Sequence, residues 1–90
     1  PTDFGPMITE EMLDIYARFN GDMDGFARVG SARDRALMSE TQWYALDAFV
    51  LELHAVKAQL ASPGYAEQIE SRLSAMSANP RVRERLWQLA

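Results

Sequence analysis

Apolar positions recur along the chain at helical spacing, and no stretch alternates apolar and polar residues as a strand would. The first such run lies on one helical face: Met12, Ile15, Tyr16 and Phe19. Thr9 stands before this run as an N-cap, and Asn20-Gly21 follows it. Both Asn and Gly tolerate the left-handed backbone that ends a helix. The pattern therefore predicts a first helix that ends before residue 20.

The longest apolar run predicts a long helix over residues 40–61. Ser39 and Gln42 have the spacing of a capping box, in which each side chain bonds the other residue's backbone N–H. The apolar face of this helix is wide: Trp43, Leu46, Phe49, Val50, Leu53, Val56 and Leu60. We expect this helix to be the spine of the core, with Trp43 packed against Tyr16 of the first helix.

The stretch between these helices is short and rich in capping signals. Asp22 predicts the start of a short helix that runs to Val29, and Asp24 and Arg28 have the i,i+4 spacing of an ion pair. Residues 30–38, "GSARDRALM", fit either a further helical turn or an irregular crossing. The sequence does not choose between the two.

Two Pro-containing caps predict the remaining helices. Ser62-Pro63 and Asn79-Pro80 each place a capping residue before a proline, which is favoured at the first helical position. Apolar stripes follow both caps: Tyr65, Ile69, Leu73 and Met76, then Val82, Leu86 and Leu89. The fold class is therefore predicted as all-α, a compact single-domain bundle of four to five helices over residues 1–90, with one long central helix.

Composition and charge narrow the kinds of partner. The net charge is −4, and the acids are concentrated in residues 1–60, which carry ten acids and five bases. Such a surface disfavours nucleic acid, where affinity comes from Lys and Arg on phosphates, and favours a basic protein partner. No apolar run reaches the roughly 20 residues that cross a bilayer. The absence of cysteine fits a cytoplasmic location, and the first residues do not resemble a secretory signal.

The stretch "FNGDMDGFARVGS" has part of the spacing of a calcium-binding EF-hand loop. Asn20, Asp22, Asp24 and Gly25 occupy loop positions 1, 3, 5 and 6. Position 12, which needs a bidentate carboxylate, is Ser31. We therefore interpret the segment as a turn and expect no metal site and no cofactor. A divalent-ion-responsive regulator using residues 20–31 remains an alternative.

No other constellation predicts catalysis. His54 is the single histidine, and it has no nucleophile or second metal ligand at a recognisable spacing. The alternating arginines, Arg81, Arg83 and Arg85, do not share one helical side. The glycines match no nucleotide-binding motif. We expect a protein without enzymatic activity.

The second side of the long helix leaves two interpretations open. It carries Tyr44, Asp47, Leu51 and Glu52, which suit a protein interface with an aromatic anchor and steering charges. Tyr44 and Leu51 could equally pack beneath another helix. The candidate partner-binding residues are the exposed acids and this aromatic residue: Asp14, Asp22, Asp24, Tyr44 and Asp47.

With its segment "FNGDMDGFAR" after the first helix, this small, acidic, cysteine-free chain resembles the small bacterial immunity proteins. The resemblance implies a non-catalytic inhibitor that binds and neutralises a toxin or effector domain. It implies no particular binding residue. A small structural subunit or a homodimer that buries the aromatic side of the long helix is a further alternative.

Overall fold

The computed structural model describes residues 8–59 and 61–90. These residues form six helices and no strand: α1 Glu10–Arg18, α2 Met23–Val29, α3 Ala32–Leu37, α4 Glu40–Lys57, α5 Tyr65–Met76 and α6 Pro80–Leu89. The predicted all-α class and the long helix are confirmed. The predicted count of four to five helices is wrong, because residues 30–38 contain a helix of their own.

The additional helix, α3, could not be predicted from the spacing of apolar residues. It buries none of its residues, so no apolar stripe marks it in the sequence. Ser31 caps it by accepting from the Asp34 backbone N–H at 3.1 Å. Arg18 of α1 donates to the Asp34 carboxylate at 2.8 Å, and this hydrogen bond holds the pKa of that carboxyl below its usual range. Local capping and one ion pair therefore stabilise α3 in place of a buried face.

Three predicted helix starts are confirmed, at Thr9, Asp22 and Ser39, and so is the predicted end of the first helix at Asn20-Gly21. Thr9 and Asp22 accept from backbone N–H groups three residues on, at 3.2 and 3.0 Å. Both hydrogen bonds of the Ser39 capping box are present. Asn20 and Gly21 both have positive φ angles, 52° and 74°, as a left-handed helix stop requires.

The predicted junction between the long helix and the next one is wrong. The long helix α4 ends at Lys57 instead of residue 61, and α5 begins at Tyr65 with Gly64 as its N-cap. Ser62 and Pro63 lie in the turn between them, because the residue before a proline is kept out of the helical region and Gly64 turns the chain at a φ of 78°. Leu60, predicted for the apolar face, lies outside the described residues, as do residues 1–7.

The core is built around an aromatic cluster at the start of α4. Trp43 is fully buried and stacks on Phe26 of α2, with ring centroids 5.0 Å apart. The ring of Tyr16 also packs against Trp43, as predicted, with the ring centroids 5.4 Å apart. Leu53 is also fully buried, whereas Phe49 is only half-buried. Three helices, α1, α4 and α6, supply six further fully buried residues: Met12, Leu13, Ile15, Leu46, Val82 and Leu86.

The bundle is elongated, with principal extents of 45 × 22 × 22 Å. Helix α6 packs against α1, α4 and α5, and α3 packs against α1. Two arginines of α6 join it to α1, since Arg85 pairs with Asp14 and Arg81 lies 3.9 Å from Glu10. None of the described helices is both long and apolar enough to span a membrane.

Candidate functional site

Three of the five predicted partner-binding residues are engaged within the fold. Asp47 accepts a 2.6 Å hydrogen bond from the Tyr16 hydroxyl. Burial, followed by this bond, raises the pKa of Tyr16. Asp14 forms an ion pair with Arg85, and Asp22 caps α2. The structure therefore gives these three carboxylates roles within the fold.

The other two predicted residues, Asp24 and Tyr44, remain exposed. Asp24 does not pair with Arg28 as the sequence suggested, and it forms no ion pair within residues 8–59 and 61–90. The side chain of Tyr44 projects from α4 and is 56% exposed. Neither residue is held by a partner elsewhere in the described fold.

Asp24 lies at the edge of a cleft formed by α2, α3 and the start of α4. The cleft has a volume of about 430 Å³, within the range of ordinary ligand pockets. Its floor is apolar: Met23, Phe26, Met38 and Trp43. The floor is also well packed, because all of these residues except the half-buried Met23 are buried. The cleft is therefore a preformed depression over the aromatic cluster.

Charged residues border the apolar floor of this cleft. Asp24 and Glu40 contribute two exposed carboxylates, and neither forms an ion pair within the described part of the chain. Arg35 also lines the cleft, and its guanidinium approaches the Ala27 carbonyl at 3.5 Å. The border thus carries one more acid than base. An apolar anchor that brings a cationic group would find both kinds of contact here.

Sequence reasoning missed Met38 and Glu40 as members of this site, although a signal for Met38 was present. Met38 directly precedes the cap residue Ser39, and Trp43 occupies the fourth helical position. These are the two positions of a hydrophobic staple, which packs the incoming chain against the first turn of a helix. Met38 is 2% exposed, as this arrangement requires. The cleft itself depends on three helices meeting, which no local pattern shows.

The EF-hand-like segment does not have the geometry of an ion-binding loop. Residues 23–29 form α2, so Asp24 lies in a first helical turn and the Asp22 carboxylate is occupied by the Gly25 backbone N–H. An EF-hand instead wraps twelve loop residues around the ion. No group of three or more His, Cys, Asp or Glu side chains among the described residues could hold a metal ion.

We therefore expect no calcium or magnesium binding tighter than millimolar in a calorimetric titration, because position 12 is Ser31 and Asp22 is used as a cap. The control variant is Asp24→Asn, which removes a candidate ligand and leaves the cap of α2 in place. Micromolar binding that this variant abolishes would contradict the interpretation of the segment as a turn and favour the ion-responsive alternative.

The side of α4 that faces away from the core carries an exposed apolar stripe, which we call the outer stripe: Tyr44, Ala48, Leu51 and Ala55. Leu51 is 69% exposed, so the alternative in which Tyr44 and Leu51 pack beneath another helix is wrong. Most helices on a protein surface are apolar on one side only. Helix α4 is apolar on two opposite sides, and solvent covers one of them in the single chain.

The single histidine borders the outer stripe and has a structural contact. His54 Nδ1 lies 2.7 Å from the Ala90 carbonyl oxygen, which ties the last turn of α4 to the end of α6. The interaction gives the exposed His54 side chain a structural role between two helices. No described ion pair or hydrogen bond joins His54 to an acidic side chain.

Similar proteins of known function would indicate independently whether the cleft and the outer stripe are binding surfaces. The two surfaces are the features from which a function can be inferred, since the other predicted residues stabilise the fold. Comparison with protein-family models, with curated protein sequences and with solved structures found no match to this chain.

Proposed function

We propose that this chain is a non-catalytic protein-binding module, most concretely an immunity-type inhibitor that neutralises a toxin or effector domain. The observation that carries the proposal is the cleft, whose apolar floor is bordered by the unpaired carboxylates of Asp24 and Glu40. A partner would insert an apolar or aromatic anchor into the cleft and place basic groups near the two acids. The cysteine-free sequence supports action in the cytoplasm.

The chemistry of the cleft fits protein recognition. Binding energy at protein interfaces is concentrated in a few well-packed contacts that exclude water, and a preformed apolar floor provides such a place at little entropic cost. The bordering carboxylates would steer a basic partner, and the net charge of −4 acts in the same direction.

The segment that resembles immunity proteins also supplies part of the cleft. "FNGDMDGFAR" covers residues 19–28 and contributes Met23, Asp24, Phe26 and Ala27 to the lining. The resemblance and the candidate surface thus meet in the same short segment. Tyr44 lies outside the cleft, one helical turn beyond Glu40, and is a candidate contact at its edge.

The proposed function predicts neutralisation of a specific partner. Coexpression with the product of a toxin-like gene adjacent to its own gene should restore growth, and the two purified proteins should form a complex. Reversing both acids, Asp24→Lys with Glu40→Lys, should slow association at low salt by at least about tenfold, because steering by charge acts on the association rate.

The matched control is Glu70→Lys with Glu84→Lys, which makes the same total charge change at exposed positions of α5 and α6 that do not line the cleft. Circular dichroism should show that all variants are folded. If the doubly reversed protein associated at the wild-type rate across a salt series, the acidic border would have no part in binding and the proposed use of the cleft would be wrong.

A further inference from the structure

We propose that the outer stripe of α4 pairs two copies of this chain, with the two α4 helices antiparallel about a twofold axis. The stripe consists of Tyr44, Ala48, Leu51 and Ala55, all exposed in the single chain. A second copy is the occupant because the stripe is complementary to itself in spacing, in side-chain size and in the charges beside it. These three properties are independent of the cleft.

The spacing of the stripe is that of a helix-pairing seam. Its members follow one another at intervals of four, three and four residues, the repeat that keeps a seam facing one partner helix. Leu46 and Leu53, on the opposite side of α4, are fully buried in the core of the chain. The seam therefore lies opposite the core and is accessible to another helix along its length.

Side-chain size alternates along the seam so that an antiparallel copy fits. Residues face each other across the twofold axis when their numbers add to 99, which places Tyr44 opposite Ala55 and Leu51 opposite Ala48 of the second copy. Each large side chain thus meets a small one, as close packing requires. In a parallel pair Tyr44 would meet Tyr44 and Leu51 would meet Leu51, with the alanines leaving gaps between them.

The residues beside the seam favour the same orientation. Flanking residues on one side of an antiparallel seam meet two positions away from the register of the seam itself, so Asp47 comes beside His54 of the second copy on one flank and Glu52 beside Ala45 on the other. Within its own chain Asp47 accepts from the Tyr16 hydroxyl, and Glu52 forms an ion pair with Arg72 at 2.9 Å. An acid therefore meets the one histidine, and no like charges meet. In a parallel pair the flanking positions five residues apart would meet, which would set Asp47 against Glu52. Contact between two acids would disfavour that arrangement, and the ion pair of Glu52 with Arg72 offsets only part of the repulsion.

Exposure gives the pairing its driving force. Tyr44 is 56% and Leu51 is 69% exposed, and these are two of the four large hydrophobic residues found exposed in the described chain. The other two, Val29 and Leu37, end α2 and α3 and do not lie on the outer stripe. A small domain of 90 residues buries a limited core of its own, so covering α4 from both sides would stabilise it by mass action.

Cysteine cross-linking tests the orientation directly, because the chain contains no cysteine. Tyr44→Cys and Ala55→Cys proteins, mixed in equal amounts under mild oxidation, should form a disulfide-linked dimer containing one of each. Neither protein alone should cross-link efficiently, since in an antiparallel pair two copies of residue 44 are about 16 Å apart along the helix and a disulfide needs Cα atoms within about 7 Å. Cross-linking of each protein with itself, or no cross-linking in the mixture, would overturn the proposal.

Sedimentation of the purified chain tests the self-association itself. The wild-type protein should show a concentration-dependent dimer, and Leu51→Glu should raise its dissociation constant at least about tenfold. The matched control, Val29→Glu, adds the same charge at a residue that is 73% exposed outside the stripe and should leave the dimer unchanged. A wild-type monomer at millimolar concentration, or an equal effect of both variants, would overturn the proposal.

The self-association experiments use this chain alone, so their outcome does not depend on the proposed inhibitor function. A failure to dimerise would leave the cleft intact as a partner site, and a failure to neutralise a toxin would leave the dimer intact. Tyr44 belongs to the seam and also lies at the edge of the cleft. A partner that covers Tyr44 would consequently exclude the second copy at that residue.

Discussion

Replacing Trp43 by alanine is expected to lower the free energy of unfolding by about 3–5 kcal/mol. Trp43 is fully buried, stacks on Phe26 at 5.0 Å and contacts Tyr16 at 5.4 Å. Its indole N–H donates to the Gly21 carbonyl at 3.3 Å. The variant would therefore lose three kinds of stabilisation: burial of a large ring, aromatic contacts and a hydrogen bond. It would also remove one of the four side chains that form the floor of the cleft.

The measurement is urea unfolding of the wild-type protein and of the Trp43→Ala variant, monitored by far-ultraviolet circular dichroism. Tyr44→Ala is the matched control, because it truncates the neighbouring aromatic residue of the same helix, whose side chain is mostly in solvent. At low protein concentration, where the single chain predominates, we expect that variant to lose less than about 1 kcal/mol. If the two variants were equally stable, the aromatic cluster would not be the centre of the core.

Replacing Leu53 by alanine is expected to cost about 2–5 kcal/mol, the range for a leucine removed from a packed interior. Leu53 is fully buried in the second half of α4, beyond the aromatic cluster. Since small domains are stable by only about 5–15 kcal/mol, this one change can remove a large share of the total. The protein is therefore expected to melt at a clearly lower temperature.

The chain contains an unusually close control for this variant. Leu51 lies two residues away in the same helix and is 69% exposed, so Leu51→Ala makes the same chemical change without emptying the core. Both variants should be measured at low concentration, where the single chain predominates. A thermal melt in which Leu53→Ala matched Leu51→Ala would show that the core side of α4 has been assigned incorrectly.

The two sides of α4 connect the stability of the protein to its proposed interactions. Leu46 and Leu53 are buried against the rest of the chain, whereas Tyr44 and Leu51 are exposed. Truncation on the first side should destabilise the fold at any protein concentration. Truncation on the second should change stability only where another molecule covers the stripe, because burial in a complex contributes by mass action. Concentration dependence therefore separates the two sides experimentally.

Features of the fold that depend on neighbouring residues could be predicted from the sequence. The caps at Thr9, Asp22, Ser39 and Asn79 are confirmed because each side chain bonds a backbone N–H two or three residues away. The stop at Asn20-Gly21 was predictable for the same reason. Apolar spacing identified the core side of α4, where Trp43, Leu46 and Leu53 are fully buried, since one buried face imposes a helical period.

Short segments without a buried face could not be predicted in this way. Helix α3 buries nothing, so its sequence had no periodicity to distinguish a helix from an irregular crossing. The turn at Ser62-Pro63-Gly64 contains the signals of both a cap and a break, and the left-handed Gly64 decided in favour of the break. In both places local preferences were balanced. The Ser31 cap and the ion pair of Asp34 with Arg18 stabilise α3, and the positive φ of Gly64 turns the chain before α5.

The sequence by itself determined the all-helical class, the caps and the acidic character of the chain, because these follow from composition and from contacts within one helical turn. Only the tertiary structure decided which acidic side chains are engaged by other residues of the chain and which are available to a partner. Asp47 is 31 positions from Tyr16 along the chain, and Asp14 meets Arg85 of the last helix. The same holds for the cleft, which needs Asp24 and Glu40 brought together by three helices. Contacts between residues far apart in sequence depend on how the helices pack, and no local pattern encodes that packing.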